Sequence, residues 1–330
     1  TTFLAIGAKN INEQNRIQFR ADLIDEQIDT TTRVFLGASV SCARCHDHKF
    51  DAIPQSDYYA LAGVFGNTET YFGNAQSSYG TFSGAQTKQV SNLIRLPVHD
   101  PNPFDKKLSE EDVERLRGEI EDKVASLMSL RRTSPQGSAA TAQQQRLRAL
   151  NELEQLSGRL GNIDENGNPR SFTMGVQERG IPKDMPILVR GEIDRPAQAV
   201  SRGFPQVLCD EPVSIAADSS GRLEFARWVG SDQNTLLARV MVNRIWNTLV
   251  GNGIVTSMEN FGVTGQAPSH PELLDHLAIA FINSGWSVKA VIREIVNSRT
   301  YRIDTTYDAS NHAKDPDNAL LCRANQRRLD

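Results

Sequence analysis

Apolar residues recur every three to four positions in one stretch of this chain after another, and that periodicity commits it to a mainly α-helical fold. From Glu13 to Phe35, the positions Ile17, Ala21, Ile24, Ile28 and Phe35 form one helical stripe, with Thr31 filling the gap. Asp22, Asp25, Glu26 and Asp29 lie largely off it, Arg33 follows Asp29 by four, and Gly37 is placed to end the helix. A shorter helix is predicted over Asp57 to Phe65, with Ser56 as its N-cap. Thr70 to Gln86, rich in Tyr, Phe, Gly, Ser and Asn, reads as an irregular loop. Ser109-Glu110-Glu111-Asp112 then opens a helix in the manner of a capping box, with Val113, Leu116, Ile120, Val124 and Leu127 as its seam. Thr133 to Ala139 breaks the pattern before Leu147, Leu150, Leu153, Leu156 and Leu160 line a return helix. Residues 105–160 therefore read as a helical hairpin of coiled-coil type, serving either as a scaffold insertion or as an arm for a protein partner.

Beyond the hairpin the character changes. Gly and Pro punctuate short runs, of which Phe172 to Val176 and Pro186 to Val189 read as extended segments. Helical spacing then returns over Leu223 to Val229, Leu236 to Val250, Pro271 to Ile282 and Val288 to Ser298, with Ser269 and Ser287 as start signals. The expected order is a first helical part (1–104), the hairpin (105–160), an extended connector (161–215) and a second helical domain (216–330). A chain of 330 residues is long enough for two cores. Its 36 Lys and Arg against 40 Asp and Glu argue against a nucleic-acid partner. No apolar run reaches the roughly 18 residues that a membrane-spanning helix requires. Thr1-Thr2-Phe3-Leu4 lacks the charged and apolar regions of an export signal, and the chain reads as a processed or truncated piece.

The chemistry concentrates in Ser41-Cys42-Ala43-Arg44-Cys45-His46-Asp47-His48. C-x-x-C-H is the attachment signature of c-type haem: two thiols three positions apart form thioethers with the porphyrin, and the next imidazole ligates the iron. The reading is haem c held by Cys42 and Cys45, with His46 as axial ligand. Other readings compete. Cys42 and Cys45 could form a redox disulfide, although a helix rather than a βαβ unit precedes them. Cys42, Cys45, His46 and His48 could hold zinc, although adjacent ligands suit one tetrahedral ion poorly. The same residues could also be ordinary polar groups without metal.

His48 is too close to His46 to reach the opposite porphyrin face. The remaining candidates for a sixth ligand are Met128, Met174, Met185, Met241, Met258, His99, His270, His276 and His312. Met174, beside Gly175 in an extended segment, has the best setting, with a role as core filler as the alternative. Arg44 and Lys49 could pair with propionates, and Phe50, Tyr58, Tyr59 and Phe65 could wall the group off from water. Asp22, Asp25 and Asp29 read as a charged helix face rather than a cation site. Asn162 to Gly167 reads as a turn rather than a calcium loop. Asn243 and Arg244, set among apolar neighbours, read as a hydrogen-bond network joining helices.

Asp25-x-x-x-Asp29-Thr30-Thr31-Thr32-Arg33 followed by Cys42-Ala43-Arg44-Cys45-His46-Asp47-His48-Lys49-Phe50-Asp51 resembles the second cytochrome-like domain of large planctomycete-type multidomain proteins. Three later stretches, Leu237 to Trp246, Asn260 to Gly265 and Pro268 to Asp275, resemble the helical domain of unknown function that follows it in that family. Ala52 departs from the family pattern, which usually has Pro there. The resemblance implies that the chain starts inside the first of these domains and ends inside the second. It also implies an exported, periplasmic protein, because c-type haem is attached outside the cytoplasm. The expected function is electron transfer with a redox partner of unknown identity. A non-redox module, with zinc or without metal, is the alternative, as is a haem redox enzyme linked to polysaccharide breakdown.

Overall fold

The computed structural model describes residues 2–74, 91–97, 106–132, 139–211 and 213–326. Helix dominates, as the periodicity predicts. The helices are α1 (Phe3–Ile6), α2 (Arg16–Leu36), α3 (Gln55–Gly66), α4 (Glu110–Arg132), α5 (Ala139–Gly161), α6 (Arg222–Val229), α7 (Thr235–Val250), α8 (Pro271–Asn283), α9 (Val288–Asn297) and α10 (Ala309–Lys314). Short strands β1 (Thr68–Tyr71), β2 (Gly73–Asn74), β3 (Ser91–Asn92), β4 (Ile94–Arg95), β5 (Phe172–Thr173), β6 (Gly175–Glu178), β7 (Met185–Leu188) and β8 (Pro196–Val200) form two-stranded ladders. β1–β6, β4–β5 and β7–β8 are antiparallel, and β2–β3 is parallel. Among the described residues no helix is long and apolar enough to cross a membrane.

The chain divides into two compact units, each drawn from two stretches of sequence, and the division falls inside α2. The first comprises Thr1–Leu23 and Thr68–Arg179. The predicted loop from Thr70 in fact begins in β1, where Thr68 and Thr70 turn inward and the backbone pairs with Val176 and Glu178. Residues 75–86 of that stretch, and 133–138 of the predicted hairpin break, lie outside the described residues. α4 and α5 pack along each other as the hairpin expected over 105–160. Val113, Leu116 and Leu153 are buried at its base, and Lys123 pairs with Glu152. The Ser109 hydroxyl accepts from the Asp112 amide, the predicted cap. Asp164 accepts from the amides of Asn166 and Asn168, which closes the predicted turn.

The second unit comprises Ile24–Asn67 and Gly180–Asp330. One cluster in it joins α7, α8 and α9 through Ala238, Val242, Trp246, Leu277, Phe281 and Ile295. The Ser287 hydroxyl accepts from the Ala290 amide and starts α9 as predicted. Two other starts differ. Ser269 Oγ donates to the Ile254 carbonyl at 3.3 Å instead of capping α8, which begins at Pro271 with its ring fixing the first turn. α3 begins one residue before Ser56, behind Pro54, and its first amide is taken from outside: Gln55 N–H donates to Asp47 Oδ1 at 2.8 Å.

Candidate functional site

α2 ends at a fixed point. Gly37 takes φ +58°, and its carbonyl accepts from the Phe261 amide at 2.7 Å. The Arg244 guanidinium donates to the last free carbonyls of the helix, Val34 O at 2.7 Å and Arg33 O at 3.0 Å. A 3-10 turn, Val40–Arg44, follows directly. With three residues per turn, positions i and i+3 eclipse. Val40 and Ala43 share the inner face and are fully buried, which leaves Cys42 and Cys45 exposed on the outside. The two thiols are free, and the C-x-x-C spacing puts both on one face because the local helix is 3-10.

Beneath the turn lies a polar frame. The Arg44 carbonyl accepts from Tyr59 OH at 3.0 Å and from Gln55 Nε2 at 2.9 Å. The Arg44 guanidinium pairs with Asp25 at 3.3 Å, and the other Asp25 oxygen accepts from Tyr58 OH at 2.8 Å. Both phenols are buried and meet edge to face, with ring centres 5.0 Å apart. Burial pushes the Tyr59 phenol up to about 12 and the Tyr58 phenol further still. Asp29 receives Arg33 Nε and the Ser41 hydroxyl. The three aspartates read as a charged face are therefore spoken for: Asp22 accepts from Gln18, and the other two brace the turn.

The residues after Cys45 split into two kinds. Asp47 caps α3. The His48 side chain is buried, and its Nδ1 accepts from the Asp51 amide at 2.8 Å. That bond fixes the proton on Nε2, which donates to Ser39 Oγ at 3.1 Å. Asp51 Oδ1 accepts from the Val263 amide at 2.7 Å, and Gly262 passes so close that a Cβ there would lie 2.5 Å from both carboxylate oxygens. His46 is different. It is exposed, and its Nδ1 meets the Asp47 carbonyl at 2.6 Å. A carbonyl can only accept, so Nδ1 carries the proton and Nε2 keeps its lone pair for a ligand.

These positions test the expected donors. Cys42, Cys45 and His46 stand together on one short turn. His48 does not join them, since both of its nitrogens are engaged. Among the described residues no three His, Cys, Asp or Glu side chains converge on a metal-sized point. A porphyrin needs no such convergence, because it brings four of the iron's donors itself and takes from the protein two thiols and one imidazole. The donor set fits that group. The expected wall is not formed as predicted: Tyr58, Tyr59 and Phe65 are each 2 % exposed in the core, and only Phe50 is at the surface. Arg44 is likewise turned inward to Asp25, while the Lys49 ammonium lies 5.1 Å over the Phe50 ring.

Met174 belongs to the first unit, in the turn between β5 and β6, and is partly exposed. His99 lies outside the described residues. In the second unit Met185 packs on Gly66, Met258 Sδ meets Asn243 Nδ2, and His276 pairs with Glu294 at 2.8 Å.

Residues 1–70 match the family model PSCyt2, described as a protein of unknown function (DUF1549), and residues 221–330 match PSD1, described as a protein of unknown function (DUF1553). The chain thus carries matches to both domains of the planctomycete cytochrome-like pair. No curated protein and no solved structure matches it. Ile24–Asn67 of the PSCyt2 match and the whole PSD1 match lie in one unit, joined by the Arg244, Phe261 and Asp51 hydrogen bonds. The stretch Asn260 to Gly265 therefore ties down the chain on both sides of the cysteine turn, at Gly37 and at Asp51. Asn243 does join structure, as its setting suggested: its amide exchanges two bonds with the Val255 backbone, at 2.8 and 2.9 Å.

Proposed function

We propose that the chain is an exported, periplasmic electron-transfer protein carrying one haem c, attached through Cys42 and Cys45, with His46 Nε2 as axial ligand. The observation that carries this reading is the contrast within the signature: Asp47, His48 and Asp51 are consumed by the fold, whereas two free thiols and one imidazole nitrogen are left uncommitted on one exposed turn. The haem would supply one-electron Fe(III)/Fe(II) cycling. The chain's own residues hold the turn in place. The Asp47 carbonyl keeps the proton on His46 Nδ1, which leaves the Nε2 lone pair available, while Tyr59 and Gln55 hold the Arg44 carbonyl and Asp25 its guanidinium, between the two cysteines. Thiols at the surface of a turn braced on both sides leave the redox centre open to a partner protein.

An absorption spectrum of the full chain, matured in a host competent for c-type haem, tests the proposal. A reduced α-band that stays with the polypeptide through acid–acetone extraction supports it. Stoichiometric zinc without that band, or unmodified tryptic peptides Val34–Arg44 and Cys45–Lys49, overturns it.

A further inference from the structure

Cys45 Sγ does not stand free on all sides. The segment after β7 runs past it. Two positions past Leu188, Arg190 at φ +57° and Gly191 at φ +74° are successive residues in the left-handed region that side chains disfavour. A Cβ on Gly191 would lie 2.8 Å from Cys45 Sγ, well inside ordinary contact, and 3.6 Å from Arg44 Cγ, an ordinary one. The approach is held by the same donors that hold the cysteine turn. Gln55 Nε2 has two hydrogens and bonds Arg44 O at 2.9 Å and Leu188 O at 3.3 Å. Tyr59 OH bonds Arg44 O at 3.0 Å and lies 3.4 Å from Leu188 O. The loop closes on itself through Val189 N–H to Arg195 O at 3.0 Å and Glu192 N–H to Val189 O at 3.2 Å.

We infer that Gly191 is a positioning residue for Cys45: bare backbone at this point sets where the second thiol stands, and a side chain there would displace or cover it. Cys42 has no such neighbour at Gly191, so the loop distinguishes two thiols that the sequence motif treats alike. This inference rests on the proposed thioether chemistry for its consequence. There the S–H adds across a vinyl double bond, sulfur bonding one carbon and hydrogen the other, with nothing leaving and no oxidant consumed. The placement of the sulfur itself does not depend on that chemistry. Gly191 lies between the two family-model matches, in a part of the chain that carries no recognisable motif.

The test compares Gly191→Ala with Gly285→Ala in the full chain. Gly285 has a similar φ of +68° but nothing within 4 Å of its would-be Cβ, so it reproduces the backbone strain without the contact. Thiols of the haem-free protein are alkylated with iodoacetamide, which forms an S–C bond and releases iodide and a proton, and the products are mapped by mass spectrometry. In Gly191→Ala the Cys45-to-Cys42 alkylation ratio is expected to fall at least threefold, whereas Gly285→Ala leaves it unchanged. A double-mutant comparison adds a readout for the contact itself. Gly191→Ala should lower the unfolding midpoint by about 3 °C more when Cys45 is present than in a Cys45→Ala background, where the sulfur is gone. In haem-loaded preparations, Gly191→Ala should lose the thioether at Cys45 and keep the one at Cys42. An unchanged alkylation ratio together with equal midpoint shifts in the two backgrounds overturns the inference. A wild-type chain that takes up no haem sinks the proposed function and leaves the alkylation and midpoint outcomes to decide this one.

Discussion

The cysteine turn and the Asn243–Arg244 stretch of α7 look alike as sequence: chemically capable side chains set among apolar neighbours. As structures they are opposites. On α7 both side chains are consumed by the fold. The Asn243 amide closes a two-bond ring with Val255, and the Arg244 guanidinium ends α2. On the turn the thiols and one imidazole nitrogen are exposed and have no partner among the described residues, while their immediate neighbours are tied down. A buried polar group without partners costs free energy, so the fold must spend Asn243 and Arg244 on itself. Exposed thiols carry no such cost and can be kept for chemistry. Commitment of the donor atoms, rather than residue type, separates the two.

The largest effect should come from the consumed side. Asn243→Ala leaves the Val255 N–H and C=O buried without partners and should destabilise the protein by about 3 kcal/mol, read from urea unfolding. Cys42→Ser and Cys45→Ser, made in the haem-free protein, should each stay within about 0.5 kcal/mol of wild type, because exposed positions away from caps and networks are tolerant. If the serine variants lose as much as Asn243→Ala, the turn is structural and the comparison collapses.

The two histidines sharpen it within a single motif. His48→Ala strips acceptors from the Asp51 amide and a partner from Ser39, and should cost about 2 kcal/mol of stability while leaving the iron spectrum of loaded protein close to wild type. His46→Ala should do the reverse, changing the spectrum with little change in the unfolding midpoint. Equal effects of both on either measurement would remove the distinction. Gly262→Ala is expected next in size, at roughly 1–2 kcal/mol, because the added Cβ must push the Asp51 carboxylate off the Val263 amide. Circular-dichroism melts of this variant and wild type check it.

Much of the fold was legible, and for a physical reason. Helices are local, so their stripes, the Ser287 cap and the Ser109 cap appear in adjacent residues. What was not legible depended on distant partners. Nothing near Ser56 reveals that Asp47, eight residues before Gln55, captures the first amide of α3. Nothing near Arg44 shows its guanidinium committed to Asp25 rather than free for a propionate. Tyr58 and Tyr59 were expected at the site for their apolar bulk. They do lie beneath it, but as buried hydroxyl donors that fix the turn, because α3 turns this face to the core. The donor triad Cys42, Cys45 and His46 could be read directly because its spacing is short. Gly191 could not, since its significance lies in a sulfur almost 150 residues upstream.

Asp57 tests whether the division between consumed and free groups has a middle. It is 1 % exposed, and Oδ2 accepts from the Gln206 amide at 2.8 Å, yet Oδ1 is buried with no hydrogen-bond partner among the described residues. Burial raises its carboxyl above the ordinary value of 3.8, against the opposing pull of the Gln206 bond. The sign follows from proton counting. With the native value raised, the folded state holds its proton to higher pH than the unfolded chain. The contribution to stability is complete below the ordinary carboxyl range and is lost as pH climbs from there through the raised native value. Asp57→Asn keeps an acceptor for Gln206 and removes the charge. It should therefore be more stable than wild type at pH 7, by about 1 kcal/mol, with the gap closing as pH falls toward 4. Urea midpoints measured across that range decide it. A wild type more stable than Asp57→Asn at pH 7, with its advantage shrinking on acidification, would mean that the ionised carboxylate is stabilised by the fold, and Asp57 would then join Asn243 among the consumed groups.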